Sequence, residues 1–197
     1  MAKRAGTRDQ IVPAVYFGET GARNTRRTLE VAARRAAELE IRAILVATTS
    51  GKTGALAAEI FRGRPVIAVS HSAGFDRPDH QELEPRYRKR IEALGGRILT
   101  CQHAFGGVGR AVRKKLGTYE LEEIIAYTLR VFGQGAKVAV EIALMAADAG
   151  WIAVGAPCLS VGGSNEGADT ALVLRPANAQ TFFDLRVMEI LAKPRLA

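Results

Sequence analysis

The stretch AILVATTSGKTGALAAEIFRGRPVIAVSHSAGF, Ala43 to Phe75, decides the fold. It opens on a short apolar run, Ala43 to Thr48, and passes at once into the polar, glycine-bearing segment Thr49-Ser50-Gly51-Lys52-Thr53-Gly54. A helical stripe from about Ala55 to Phe61 follows. Gly63 and Pro65 then punctuate the chain before a second apolar run, Val66 to Ser70. Apolar runs of this length bounded by turn residues read as buried strands, and the stripe between them reads as a helix. Strand, turn, helix and strand in about thirty residues make a βαβ unit, with parallel strands and a right-handed crossover.

The same alternation continues on both sides. Upstream, Ile11 to Phe17 is a short apolar run, Gly18 to Arg23 is a loop, and Asn24 is a good N-cap for a helix that places Leu29, Ala32, Ala33, Ala36 and Leu39 on one face. Downstream, a loop with Gly74, Pro78 and Pro85 leads to a charged helix that stops at Gly95-Gly96, then to a short strand, Arg97 to Thr100. Residues 102–118 read as loop plus a short helix. Two further helices are expected, Glu120 to Phe132 and Lys137 to Ala149, broken by Gly133-Gln134-Gly135. Trp151 to Val154 reads as a strand, and after the glycine loop Gly162 to Gly167 so does Thr170 to Arg175. A final segment runs through Phe182 and Phe183. No internal repeat or low-complexity tract interrupts the pattern. Alternating β and α over the whole length predicts one α/β domain, residues 1–197, built around a mostly parallel sheet.

Composition narrows the functional classes. Hydrophobic residues are 48% and charged residues 24% of the 197, enough apolar material for a single core and too much for a disordered chain. Two cysteines, Cys101 and Cys158, cannot form a disulfide framework. The basic start, Met1 to Asp9, lacks the apolar stretch of a signal peptide. The longest weakly charged stretch, residues 149–165, is broken by Gly150, Gly155, Pro157, Gly162 and Gly163, so it does not read as a membrane span. A cytoplasmic protein without membrane attachment is expected. The formal charge of +8 invites a nucleic-acid reading, but the arginines mostly follow helical patterns and the aromatics do not interleave with them. Nucleic acid is therefore not expected as a partner, whereas a small anion suits the charge.

Thr48-Thr49-Ser50-Gly51-Lys52-Thr53 carries the most chemistry. A phosphate wants backbone N–H groups, hydroxyl donors and a mobile cation at a helix N-terminus, and this segment offers all three. It is not a Walker A loop, because Val46 stands where that pattern needs glycine. An ordinary βα turn with a hydroxyl cap is the competing reading. Gly162-Gly163-Ser164-Asn165-Glu166-Gly167-Ala168-Asp169 forms a second glycine loop that could hold a ligand's other polar end through Asn165 and Asp169, or be a plain surface turn. His71, Ser72, Gly74 and Phe75 follow the second strand of the βαβ unit, so they are either wall residues of a crevice at the strand ends or a solvated loop. Cys101 and His103 adjoin a strand end without a second ligand pair at metal spacing, so no metal is expected. Glu141 and Asp148, seven apart on one helix, are either a catalytic pair or a polar face.

The segment from Ala43 to Phe75 resembles the C-terminal α/β domain of pyruvate kinase: strand, hydroxyl-rich loop, helix, Arg-x-Arg-Pro turn and strand follow in that family's order. The chain is more similar still to a group of stand-alone, mainly archaeal and bacterial proteins that correspond to this domain alone. The shared stretches are Asn24-Thr25, Glu141 to Asp148, and Gly162-Gly163 through Gly167-Ala168-Asp169-Thr170 to Arg175-Pro176-Ala177. The resemblance implies a three-layer α/β/α sandwich with a mainly parallel five-stranded sheet and one antiparallel edge strand. It also implies that Thr48 to Thr53 cradle a phosphate, and that the ligand is FMN, with phosphate or another phosphorylated ligand as the alternative. The family's barrel, which carries phosphoenolpyruvate, metal and catalytic lysine, has no counterpart here, so pyruvate kinase activity is not expected. Two classes stay open: a binding protein for a phosphorylated small molecule, and an enzyme using the same pocket for flavin redox or sugar-phosphate chemistry. Alanine-rich, apolar helices around Gly133 to Gly150 suit either a core or a homo-oligomer interface.

Overall fold

The computed structural model of the protein describes residues 9–195; the basic start of the chain, up to Arg8, lies outside them. The strands are β1 (Val15–Phe17), β2 (Ala43–Ala47), β3 (Val66–Ser70), β4 (Arg97–Thr100), β5 (Cys158–Gly162), β6 (Thr170–Arg175) and β7 (Arg186–Pro194). The helices are α1 (Thr25–Glu38), α2 (Lys52–Ile60), α3 (Pro85–Ala93), α4 (Val108–Leu116), α5 (Leu121–Arg130) and α6 (Gln134–Asp148). All seven strands form one sheet in the order β1-β7-β6-β5-β2-β3-β4. The β5-β2-β3-β4 half is wholly parallel, and β6 pairs antiparallel with β5. The resemblance implied five strands in this arrangement, and four of them, β2, β3, β4 and β6, lie where the sequence marked them. The sheet then grows past β6: β7 pairs antiparallel with it, and β1 parallel with β7.

Each strand divides its side chains between two helical layers, as a period of two requires. From β2, Ile44 and Val46 pack under α1 and α2 with Leu159 and Val161 of β5. Leu45 turns the other way, against α6. α6 is the central helix of that second layer, and its residues from Gly135 to Ala147 are buried except Val138. Its alanines let it lie close on the sheet. Ser160 donates to the Ala139 carbonyl at 2.7 Å, and a Cβ on Gly135 would come within 2.6 Å of Thr170 Cβ. The apolar length of α6 is therefore spent inside the subunit rather than on an interface. About half of the large exposed hydrophobic side chains lie on and beside α4 and α5, among them Leu116, Leu121, Ile124, Val131 and Phe132.

Two expectations need correction. Trp151 to Val154 is not a strand; the strand comes later, at Cys158–Gly162. Gly150 takes φ +71°, its N–H bonds to Ala147 O, and the Trp151 N–H bonds to Ala146 O, which is a Schellman end to α6. Trp151 thus belongs to a helix cap, held flat under the Arg97 guanidinium at 3.9 Å. The final segment contains a nine-residue strand, β7, which extends the sheet beyond the five strands expected. Its first residues are exposed and its alternation is weak, so pattern alone did not mark it.

Candidate functional site

β2, β3, β4 and β5 all point the same way, and their C-terminal ends open on one cleft of about 560 Å3. The chain leaves β2 toward β3 on one side, while β5 lies on the other. That change of direction parts the loops and makes room for a ligand.

The loop after β2 is built around Thr48. Its buried Oγ1 accepts the N–H groups of Gly51 at 3.1 Å and Gly54 at 3.3 Å, closing the turn onto the start of α2. The N–H groups of Thr49, Ser50 and Thr53 have no acceptor among the described residues, while Ser50 Oγ lies 3.4 Å from the Lys52 N–H. Thr48, Thr49, Ser50, Lys52 and Thr53 all line the cleft. Gly51 does not. It sits at φ +98°, and a Cβ there would lie 2.6 Å from both Leu83 Cδ1 and Tyr87 Cβ. Its small size serves the approach of α3, not of a ligand.

The second glycine loop forms the opposite wall, with Gly163, Asn165, Glu166 and Gly167 facing the cleft. Asn165 holds φ +64°, a conformation asparagine tolerates better than most residues. Asp169 and Gly162 lie behind this wall. Asp169 is fully buried: its Oδ2 accepts N–H groups from Gly21 at 2.9 Å and Ser164 at 3.2 Å, and its Oδ1 accepts the Thr170 hydroxyl. Thr25 makes a parallel link, donating to Ala22 O and accepting the Ala168 N–H. Together they clamp the loop before α1 to the glycine loop, and so bring Arg23 and Arg26 to the cleft. Gly162 provides the close approach of β5 to α6, where a Cβ would meet the Ala139 nitrogen at 3.0 Å.

His71 and Phe75 stand where the sequence placed them, while Gly74 shapes the loop at φ +79° without lining the cleft. The two rings stack at 4.0 Å, and His103 joins them, 4.9 Å from Phe75 and 5.3 Å from His71. Arg110 lies 4.5 Å over the Phe75 ring. The floor comes from α6: Lys137 donates to Glu141 Oε2, and Glu141 Oε1 accepts the Phe105 N–H at 3.0 Å. Burial by itself raises the Glu141 carboxyl, but His103 and Lys137 beside it outweigh burial and hold it at about 2. Burial pushes the Lys137 ammonium below its ordinary value, with Glu141 opposing. Asp148 does not join Glu141. It lies at the far end of α6, where Oδ1 accepts Asn178 Nδ2 and the Ala179 N–H.

Sequence reading missed most of the charge. Arg23, Arg26, Arg110, Arg130 and Lys137 line the cleft with Lys52, against only two carboxylates, Glu141 and Glu166. Lys52, Arg110 and Arg130 make no ion pair among the described residues. The six cleft cations come from five helices and the segment before α1, so no contiguous motif announces them. Arg110 opens the basic run Arg110 to Lys115, but the run by itself gives no direction. Among the described residues no group of three or more histidines, cysteines or carboxylates is placed to hold a metal ion, and no helix is long and apolar enough to cross a membrane.

The family model for the pyruvate kinase alpha/beta domain matches residues 26–174, from the first turn of α1 to the penultimate residue of β6, leaving β1 and β7 outside the match. With the parallel core, the loop after β2 and three quarters of its length within that match, the chain belongs to the pyruvate kinase alpha/beta domain family.

Proposed function

We propose that the cleft binds a phosphorylated small molecule, with its phosphate on the loop Thr48 to Thr53. The observation that carries this reading is the loop itself: free N–H groups at the start of α2, the hydroxyls of Thr49, Ser50 and Thr53, and the unpaired ammonium of Lys52 converge on one wall. An anion there gains hydrogen bonds to charge and the partial positive end of the helix dipole. The excess of cations over carboxylates around the cleft supports the same sign of ligand.

FMN fits this chemistry. Its phosphate suits the loop, and its ring system suits the apolar and aromatic wall made by Leu56, Phe75, Val138, Ile142 and Met145. The volume lies within the range of small-molecule and cofactor pockets, roughly 300–1,000 Å3. When bound, a flavin supplies a redox-active ring; the residues named here bind and orient it. Fluorescence titration of FMN and of riboflavin into the purified protein tests the reading. FMN should bind at least tenfold more tightly than riboflavin. Equal affinity for both, or none for FMN and inorganic phosphate alike, refutes the phosphate loop.

A further inference from the structure

We propose that His71 and His103 act as an acid–base pair in this cleft, transferring protons on a phosphorylated hydroxy-carbonyl compound, an open-chain sugar phosphate. The proposal rests on the phosphate loop argued above and deepens it by naming a substrate class and a reaction.

The two imidazoles follow adjacent parallel strands, β3 and β4, and their ring centroids are 5.3 Å apart. Each turns Nδ1 toward a carboxylate. His71 Nδ1 lies 2.7 Å from Glu82 Oε2, and His103 Nδ1 lies 3.8 Å from Glu141 Oε1. A carboxylate at one nitrogen orients the ring and leaves the other nitrogen to exchange protons, the logic of histidine in acyl-transfer triads. The His103 Nε2 atom is buried with no hydrogen-bond partner among the described residues. Native structures rarely leave such an atom unsatisfied without a role for it. Phe75 lies against both rings, so a substrate reaches them by displacing one side chain.

Position selects the reaction. Neighbouring strands are about 4.8 Å apart, so the histidines stand roughly one and two strand spacings from the phosphate loop. That interval places them beside the carbon chain of a phosphate ester rather than at phosphorus. The neutral imidazole takes the proton from the carbon next to the carbonyl, and the C–H electron pair becomes the C=C bond of an enediol. The carbonyl oxygen takes its proton from the other, protonated imidazole. Returning the first proton to the former carbonyl carbon, while the second imidazole recovers one from the neighbouring hydroxyl, gives the isomeric carbonyl compound. Both imidazoles end as they began, and no oxidant, reductant or co-reactant enters. Glu82 and Glu141 are positioning residues. The ribityl phosphate arm of FMN shares this polyol-phosphate chemistry, so FMN should compete with the substrate.

The test incubates the full chain in D2O with dihydroxyacetone phosphate, ribose 5-phosphate and fructose 6-phosphate, following loss of C–H signals by proton NMR. Calorimetry measures binding of the same compounds. At least one should bind and exchange, and His71→Gln or His103→Asn should slow that exchange by about a hundredfold or more, the usual share of general acid–base catalysis. Affinity should stay within a few-fold of wild type. Glu82→Gln should lower kcat with KM unchanged, a split that a purely structural role would not produce. His71, the more exposed of the pair, supplies the readout should His103→Asn not fold. Binding without exchange overturns the acid–base pair and leaves the phosphate loop standing. Exchange that survives in the double histidine variant overturns it too. Failure of these compounds, FMN and inorganic phosphate all to bind overturns the loop and this inference with it.

Discussion

Replacing Lys52 by alanine separates a phosphate loop from an ordinary βα turn. Lys52 is the first residue of α2, exposed, facing the cleft and without an ion pair among the described residues. Its removal strands no buried partner, so the fold should be unaffected within about 0.5 kcal/mol. The ligand should notice. A hydrogen bond to a charged group contributes about 1.5–3 kcal/mol, and 1.4 kcal/mol is a factor of ten, which gives a loss between about ten- and a hundredfold. The lower figure is the better expectation here. Lys52 is solvated, and five other cations still face the cleft, so each one carries a diluted share of the attraction. The assay is a fluorescence titration of FMN and riboflavin against wild type and variant at one fixed ionic strength. FMN should weaken about tenfold while riboflavin is unchanged, because the lost contact reaches only the phosphate. Equal losses for both ligands would place Lys52 against the ring or sugar instead. No loss for either would return the loop to a plain turn.

Five further outcomes follow from the geometry. Gly51→Ala should lower the melting temperature and weaken the ligand only indirectly, since the added Cβ collides with Leu83 and Tyr87 at a φ of +98°; unchanged stability would contradict that packing. Gly135→Ala should cost about 1–3 kcal/mol by overpacking α6 against Thr170 and Asp169, where the new Cβ would stand 2.6 and 2.7 Å from Thr170 Cβ and Asp169 Oδ1; urea unfolding reads it, and a neutral result would mean the helix can slide. Glu141→Gln leaves the Lys137 ammonium buried without its counter-charge, a change expected to cost about 3–5 kcal/mol, largely recovered by adding Lys137→Met; if the double variant is no better than the single, the pair is not the cause. The Glu141 carboxyl is held at about 2 when folded against an ordinary 4.5, so its contribution should be fully present above pH 4.5 and fade as pH falls toward 2; acid unfolding of wild type should lose that component in Glu141→Gln with Lys137→Met, and an identical acid profile would argue against it. Burial pushes the Cys158 thiol up to about 12, so a thiol reagent near pH 8 should reach Cys101 alone in the native protein; two reactive thiols would mean β5 opens readily.

The legibility of this chain follows the range of the interactions involved. The βαβ unit could be read because β2 and β3 are continuous apolar runs, α2 is a helical stripe between them, and Gly63 and Pro65 mark the break before β3. The loop after β2 could be read because its hydroxyls and lysine are contiguous and its position between strand and helix fixes which way it faces. Gly51 was read as part of the phosphate loop, whereas its lack of a side chain serves Leu83 and Tyr87, which reach it from later in the chain. Asp169 was read as a ligand contact for a similar reason: its burial under Gly21 and Ser164 depends on a loop that lies 148 residues earlier. β7 escaped notice because its first three residues are exposed and its place is set by pairing with β6 and β1 rather than by its own pattern.

The cleft itself shows the same rule at its sharpest. His71 and Phe75 come from one loop, but His103 arrives from the loop after β4, Glu141 and Lys137 from α6, Arg110 from α4 and Arg130 from α5. No local spacing relates them. Their meeting depends on the sheet order, in which β4, β3, β2 and β5 are neighbours and α6 crosses behind β2, β5 and β6. Lys137 and Glu141 are one helical turn apart, and a surface pair at that spacing would contribute a few tenths of a kcal/mol. Buried together under a cleft, with Phe105 and His103 on the same carboxylate, they become a fixed charge pattern whose cost the fold must offset elsewhere. A buried ion pair of this kind is poor economy as a source of stability, since an apolar pair of the same volume would hold α6 on the sheet as well. Its placement on the floor of the cleft at the strand ends is what makes a functional role the stronger explanation for it.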